Sequence, residues 1–194
     1  MRRLTKSERV LLVILAIVAV TAWPVRRHHV RIEAWWWHLR HGEVVRVADY
    51  VVPAPKNWYV TSMGEDHELM FRIDNDDRSL SPTRGAKPRF PTEISVSASL
   101  AAFTARRLDL WSSFEGSQLR KRGVEPVIRT FSIDGEPFSC LGGQRLSQLL
   151  RPQFYPDPAV WTCQSAGRLL LMITATDADM AQVWEIVSHI HKKS

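Results

Sequence analysis

Glu93-Ile94-Ser95-Val96-Ser97-Ala98-Ser99-Leu100 alternates apolar and small polar side chains along its whole length. Successive side chains of a strand point to opposite faces, so Ile94 and Val96 belong to one face and the serines to the other. A strand with one apolar and one polar face is the unit of an antiparallel sheet. The same rhythm recurs on either side. Residues 43–52 alternate around Val44, Val45, Val47, Tyr50, Val51 and Val52, and read as one strand ended by Pro53 and Pro55. Strands are expected over 58–62 and 67–73. Residues 127–133 and 136–141 form a hairpin across Asp134-Gly135, with Gly142-Gly143 ending its second arm. Residues 160–164 and 169–174 form another hairpin.

Two stretches change to helical spacing. Residues 108–122 carry Leu108, Trp111, Phe114 and Leu119, crowd Arg120, Lys121 and Arg122 at the end, and stop at Gly123. Residues 180–191 align Met180, Val183, Trp184, Val187 and Ile190 in one apolar stripe, with Asp177 as the expected cap. Strands in sequence with two helices to cover them make an α+β fold over residues 43–194. A polar stretch, 74–91, with Pro82, Gly85, Pro88 and Pro91 reads as a surface loop of the length that often carries binding.

This order also resembles a known pattern. Pro55-Lys56-Asn57-Trp58 entering a strand, then a sheet, a helix, hairpins and a final amphipathic helix is similar to the PsbP-like fold. That fold is named after an extrinsic protein of photosystem II and recurs in bacterial envelope proteins. The resemblance covers about residues 43–191 and implies an antiparallel sheet between helices, an α/β/α sandwich. It also implies binding or assembly, and no catalytic signature comes with it.

Ahead of the domain lies a run without charge, residues 10–23, from Val10 through Leu12, Ile14, Ile17 and Val20 to Trp23. It spans about 21 Å as a helix, short of the roughly 30 Å of a bilayer core. Snorkelling of Arg9 and Arg26 and an interfacial Trp23 reduce that deficit. The expectation is a basic tail (1–9), a transmembrane anchor (10–25) and a juxtamembrane interfacial helix (26–42). A cleaved signal peptide ending near Ala22, or a buried core helix, fits the same run. No Cys lies near Ala22, which excludes a lipoprotein anchor.

The net charge of +6 resides wholly in residues 1–41, where eight basic side chains face only Glu8 and Glu33. The domain behind them is neutral, so no nucleic-acid partner is expected. The lipid bilayer is the expected partner of Arg26, Arg27, Trp35, Trp36 and Trp37: three consecutive tryptophans point three ways on a helix, and all three do not fit one core. Arg26, Arg27, Arg31 and Arg40 behind the run equal in number the four basic residues ahead of it, but a tail that basic is costly to translocate; the expectation is a cytoplasmic tail, a single pass through the inner membrane and the domain outside.

No phosphate-binding loop, dinucleotide fingerprint, zinc-protease helix or nucleophile elbow is present. His38 and His41, at i and i+3, share a helix face and are weak candidates for a metal or haem; nothing completes the set. Asp74-Asn75-Asp76-Asp77 lacks the Gly and Glu of a calcium loop, having Ser79 and Gly85 in their places. His67 stands among Glu65, Asp66 and Glu68, but strand alternation splits these groups between faces. Neither a catalytic residue nor a cofactor is expected. Cys140 and Cys163 lie in separate strands without a metal or redox motif. A disulfide is the economical state in an exported domain and worth roughly 3–3.5 kcal/mol; a cytoplasmic domain would keep two buried thiols. The expected function is non-catalytic binding or scaffolding of an envelope or membrane-protein partner. An enzyme built on the 74–91 loop and a haem or metal carrier are the alternatives.

Overall fold

The computed structural model describes residues 29–73, 90–149 and 156–193. The residues expected to form the anchor, Val10 to Trp23, the pair Arg26 and Arg27, and residues 74–89 of the polar loop lie outside them. The first described element is a helix over 29–41 (α1). Strands β1 (Val44–Val47), β2 (Tyr50–Pro53), β3 (Trp58–Gly64), β4 (His67–Arg72) and β5 (Glu93–Ala98) follow, then helix α2 (Ala105–Lys121). The hairpin β6 (Val127–Ile133) and β7 (Glu136–Arg145) leads through one helical turn, α3 (Leu146–Leu149), to β8 (Ala159–Ser165) and β9 (Leu169–Ala175). Helix α4 (Met180–Ser188) and a short strand β10 (His191–Lys192) complete the order.

Two antiparallel sheets result. Seven strands run β3-β4-β5-β9-β8-β7-β6, and three run β1-β2-β10. The class is α+β, as the alternation implies. In β5 the serines face away while Ile94 and Val96 are fully buried, paired across with Met70 and with Ile173 and Leu171. The strand stops at Ala98, so Leu100 is fully exposed: the Ser99 amide donates to the Arg168 carbonyl and the chain turns out of the sheet. The core joins this apolar face to Val45, Val47, Tyr50 and Val52 of the small sheet and to Val183, Ile186 and Val187 of α4. Leu108 of α2 is buried elsewhere, and α2 packs on β7.

Four local expectations are corrected. Residues 43–52 are two strands, because the chain reverses at Ala48-Asp49 with Ala48 at φ 50. That pair lacks the Asn-Gly or Asp-Gly chemistry that announces a hairpin, whereas Asp134-Gly135 has it and turns as read. Gly142-Gly143 does not end β7. The strand continues through a register shift between Leu141 and Gln144, and a Cβ on Gly142 would stand 2.2 Å from the Trp161 ring. Glycine there permits a close crossing inside a strand instead of breaking it. Asp177 does not cap α4. It pairs with Arg145 at 3.0 Å, and Asp179 occupies the cap position. The helix ends at Ser188, and His191–Lys192 extend as β10 beside β2.

Candidate functional site

Helix α1 is closed by Gly42, whose φ of 75 and amide bond to the His38 carbonyl (2.9 Å) make it the expected C-terminal stop. One side of α1 enters the domain: Val30 and Ala34 are buried and Trp37 packs on the core. The opposite side carries Ile32, Trp35, Trp36 and Leu39, exposed at 45%, 62%, 46% and 63%. Their spacing gathers them within about 100° of the helix circumference. The tryptophan triplet is therefore divided, with Trp37 inward and Trp35 and Trp36 outward. Their ring centroids lie 6.1 Å apart, and the Arg40 guanidinium stands 4.4 Å over Trp36.

The two histidines serve the fit of α1. His38 Nδ1 lies 2.8 Å from the Gly42 carbonyl oxygen, and its Nε2 lies 3.3 Å from that of Trp58 on β3. His41 Nδ1 lies 3.0 Å from the Trp37 carbonyl, and its ring stacks on Trp37 at 4.9 Å. Three of these four ring nitrogens thus face backbone oxygens. Among the described residues no group of three or more His, Cys, Asp or Glu is placed to hold a metal.

Between α1 and the turn before β3 lies a groove of about 560 Å³, within the roughly 300–1,000 Å³ of small-molecule sites. Ala34, Trp35, Leu39 and Ile73 supply apolar walls, and Arg31 and Lys56 bring positive charge. Lys56 pairs with Glu43 at 3.3 Å, both side chains well exposed. Asn57 and Gln182 exchange reciprocal amide bonds of 3.1 and 3.2 Å. Sequence reasoning named Trp35, but not Arg31, Lys56 or Ile73 as its neighbours. The recoverable signal was the i, i+4, i+8 ridge of Arg31, Trp35 and Leu39.

Elsewhere the polar chemistry is structural. Asp179 binds Arg72, Thr92 and Thr176, fixing the start of α4 to β4 and β5. His67 Nε2 lies 2.7 Å from Ser95 Oγ. Glu93 is pushed up to about 7 by burial, and burial also raises Glu68, one of whose carboxylate oxygens has no hydrogen-bond partner. These two carboxyls sit on opposite faces of the sheet: Glu68 pairs with Val96 on the core side, and Glu93 with Phe71 and Thr174 on the other. They do not make a catalytic pair. Cys140 and Cys163 face each other directly across β7 and β8 and are disulfide-bonded, both fully buried.

No family model matches the sequence, and no curated protein is significantly similar to it. Among solved structures the chain is similar to the solution structure of cyanobacterial PsbP (CyanoP) from Synechocystis sp. PCC 6803. That similarity has 12% identity, covers 75% of this chain and 87% of that one, and has a TM-score of 0.39. A crystal structure from Bacteroides thetaiotaomicron VPI-5482 is also similar, at 10% identity, 76% of this chain and 46% of that one, with a TM-score of 0.37. These are likenesses of fold alone. No ligand, activity or partner passes from either protein to this chain.

Proposed function

We propose that this chain is a single-pass protein of the cytoplasmic membrane that holds its α+β domain outside and against the bilayer, to bind another envelope component without catalysis. The observation that carries the reading is the outward side of α1. Ile32, Trp35, Trp36 and Leu39 are exposed together, they follow the apolar run ending at Trp23 closely in the sequence, and the whole net charge of +6 lies in the first 41 residues. An apolar, tryptophan-rich side bordered by arginines suits the headgroup boundary of a membrane. No helix among the described residues is long and apolar enough to cross a membrane, so residues 10–25 would supply the span. The Cys140–Cys163 disulfide suits an oxidising compartment.

Alkaline carbonate extraction of membranes, followed by thiol alkylation in denaturant with and without reductant, tests both halves of this reading. The chain is expected in the pellet, with both cysteines unreactive until reduced. Release into the supernatant removes the anchor, and alkylation without reductant in freshly isolated membranes removes the external placement.

A further inference from the structure

The seven-stranded sheet ends at β3 on one side and at β6 on the other. At β3 the helix α1 supplies cover, with His38 Nε2 3.3 Å from the Trp58 carbonyl oxygen. At β6 residues 127–130 and 132 are exposed, Val127 at 48% and Ile128 at 53%. The Asp134-Gly135 turn fixes which way the β6 backbone points. Ile133 and Glu136 close a two-residue hairpin and so form a hydrogen-bonded pair. Counting back by twos, Phe131, Arg129 and Val127 bond to β7, and the amides and carbonyls of Ile128, Thr130 and Ser132 point away from the sheet. Pro137 agrees with this phase: it stands opposite Ser132, where no amide is needed, and its carbonyl accepts from the Ala166 amide on the far side. None of the three outward residues has a hydrogen-bond partner among the described residues.

Sheet edges are ordinarily guarded by a proline, a lysine, a bulge or a covering element. Residues 127–133, Val-Ile-Arg-Thr-Phe-Ser-Ile, contain no proline and are mostly β-branched or aromatic. They pair with β7 without a register shift. Their one charge, Arg129, lies back over Trp184 at 4.8 Å. This edge is unguarded.

We infer that β6 joins a second copy of this chain, strand to strand and antiparallel, about a two-fold axis at Thr130. The strand is complementary to itself in that register. Thr130 is the middle residue of 127–133 and one of the three that bond outward, so an axis there pairs the whole strand. It sets Thr130 against Thr130, Ile128 against Ser132, Arg129 against Phe131 and Val127 against Ile133 of the second copy. No like charges then stand opposite one another. A register centred on Arg129 would oppose two guanidinium groups, which is unfavourable, and one centred on Phe131 would pair only residues 129–133. The two large sheets become one, with an α1 helix at each outer edge. Because α1 and β6 occupy opposite edges, this pairing does not rest on the membrane-tethered reading.

The test uses the full chain in detergent with one cysteine added at a time, Cys140 and Cys163 being tied to each other. In a hydrogen-bonded pair on the axis the two Thr130 Cα atoms would lie about 5.5 Å apart, within disulfide reach. Thr130→Cys is therefore expected to give a covalent dimer under mild oxidation. Ile128→Cys and Ser132→Cys should each give little alone, since like positions four residues out of register lie roughly 14 Å apart. Mixing those two variants should restore the cross-link, from 128 to 132. Equal cross-linking of all three single variants, or none at Thr130, overturns the proposal. Thr130→Pro removes an amide that takes no part in the β6–β7 ladder, a change that an edge strand tolerates. Sedimentation is expected to show the dimer dissociation constant raised about thirtyfold, for two lost hydrogen bonds. Thr130→Lys keeps the backbone amide and sets like charges on the axis; it should weaken the dimer too, and it serves if the proline alters the circular dichroism spectrum. A wild type that stays monomeric at its highest soluble concentration sinks the proposal, and so does a dimer indifferent to both substitutions.

Discussion

Helices α1 and α4 both bury a side in the domain, and they differ in what they leave outside. On α4, Val183, Ile186 and Val187 are buried while Ala181, Glu185 and Ser188 face solvent. Trp184 is held by Trp161 edge-on at 4.9 Å, by Phe131 stacked at 5.7 Å and under the Arg129 guanidinium at 4.8 Å. That helix has one apolar stripe and one destination. On α1 the inward side is apolar through Val30, Ala34 and Trp37, and the outward side is apolar again. A helix that is hydrophobic on two sides suits two apolar partners, and the described residues of the domain provide one.

The contrast is most exposed to failure at the start of α4. Asp179→Ala leaves Arg72 without its carboxylate, and unfolding in urea is expected to show a loss of about 3 kcal/mol or more. Ile186→Ala should follow at about 2–4 kcal/mol, the cost of a cavity under a buried aliphatic side chain. A negligible loss at either position would mean that α4 is no better seated than α1.

On the inward side of α1, Ala34→Leu overfills a closed contact and should cost about 1–3 kcal/mol. A neutral result would mean that α1 rides loosely on the domain.

A pH scan reads the seven-stranded sheet independently of the outward side of α1, whose apolar residues carry no titratable group. Glu93 has its pKa raised by burial from 4.5 to about 7. The folded state therefore holds a proton there that the unfolded state gives up. That contribution is fully present below pH 4.5, declines as pH rises toward 7, and is absent above it. Glu93→Gln should flatten the stability profile across that window and leave quenching of the outward tryptophans by brominated lipid unchanged. A profile identical to that of the wild type would remove Glu93 as its source.

The smallest effect is expected on the outward side. Trp35→Ala with Leu39→Ala should change unfolding free energy by no more than about 0.5 kcal/mol, while lowering the quenching by brominated lipid. A loss comparable to that of Ala34→Leu would mean that another part of this chain covers the outward side.

The period-two pattern of 93–98 carried the class of the fold, because half-buried strands write their burial directly into alternation. The Asp134-Gly135 turn was legible for a similar reason: its geometry requires residues tolerant of positive φ. The Ala48-Asp49 reversal was not, since a single strained alanine announces nothing and the valines on both sides read as one strand. Strand β10 was hidden because two residues, His191 and Lys192, are too few to show a period. In the site, the triplet Trp35-Trp36-Trp37 announced incompatible directions, but which tryptophan turned inward depended on where Val30 and Ala34 met the domain. The groove was invisible for a plainer reason. Arg31 and Lys56 lie on separate elements, and only the folded chain brings them to one opening.

The place of β10 has a mechanical consequence. Strand β2 pairs with β1 on one side and β10 on the other, both antiparallel to it, so β1 and β10 run in the same direction. Tension applied between α1 and Lys192 would draw β1 back through its start and β10 forward through its end. The hydrogen bonds along β2 would then share the load in shear, together rather than one after another. Lys192 adds links to Asp134 and Glu136, and the Lys193 amide a bond to the Asp49 carbonyl. Such a tension would thus be taken up in the three-stranded sheet before it reached most of the seven-stranded sheet.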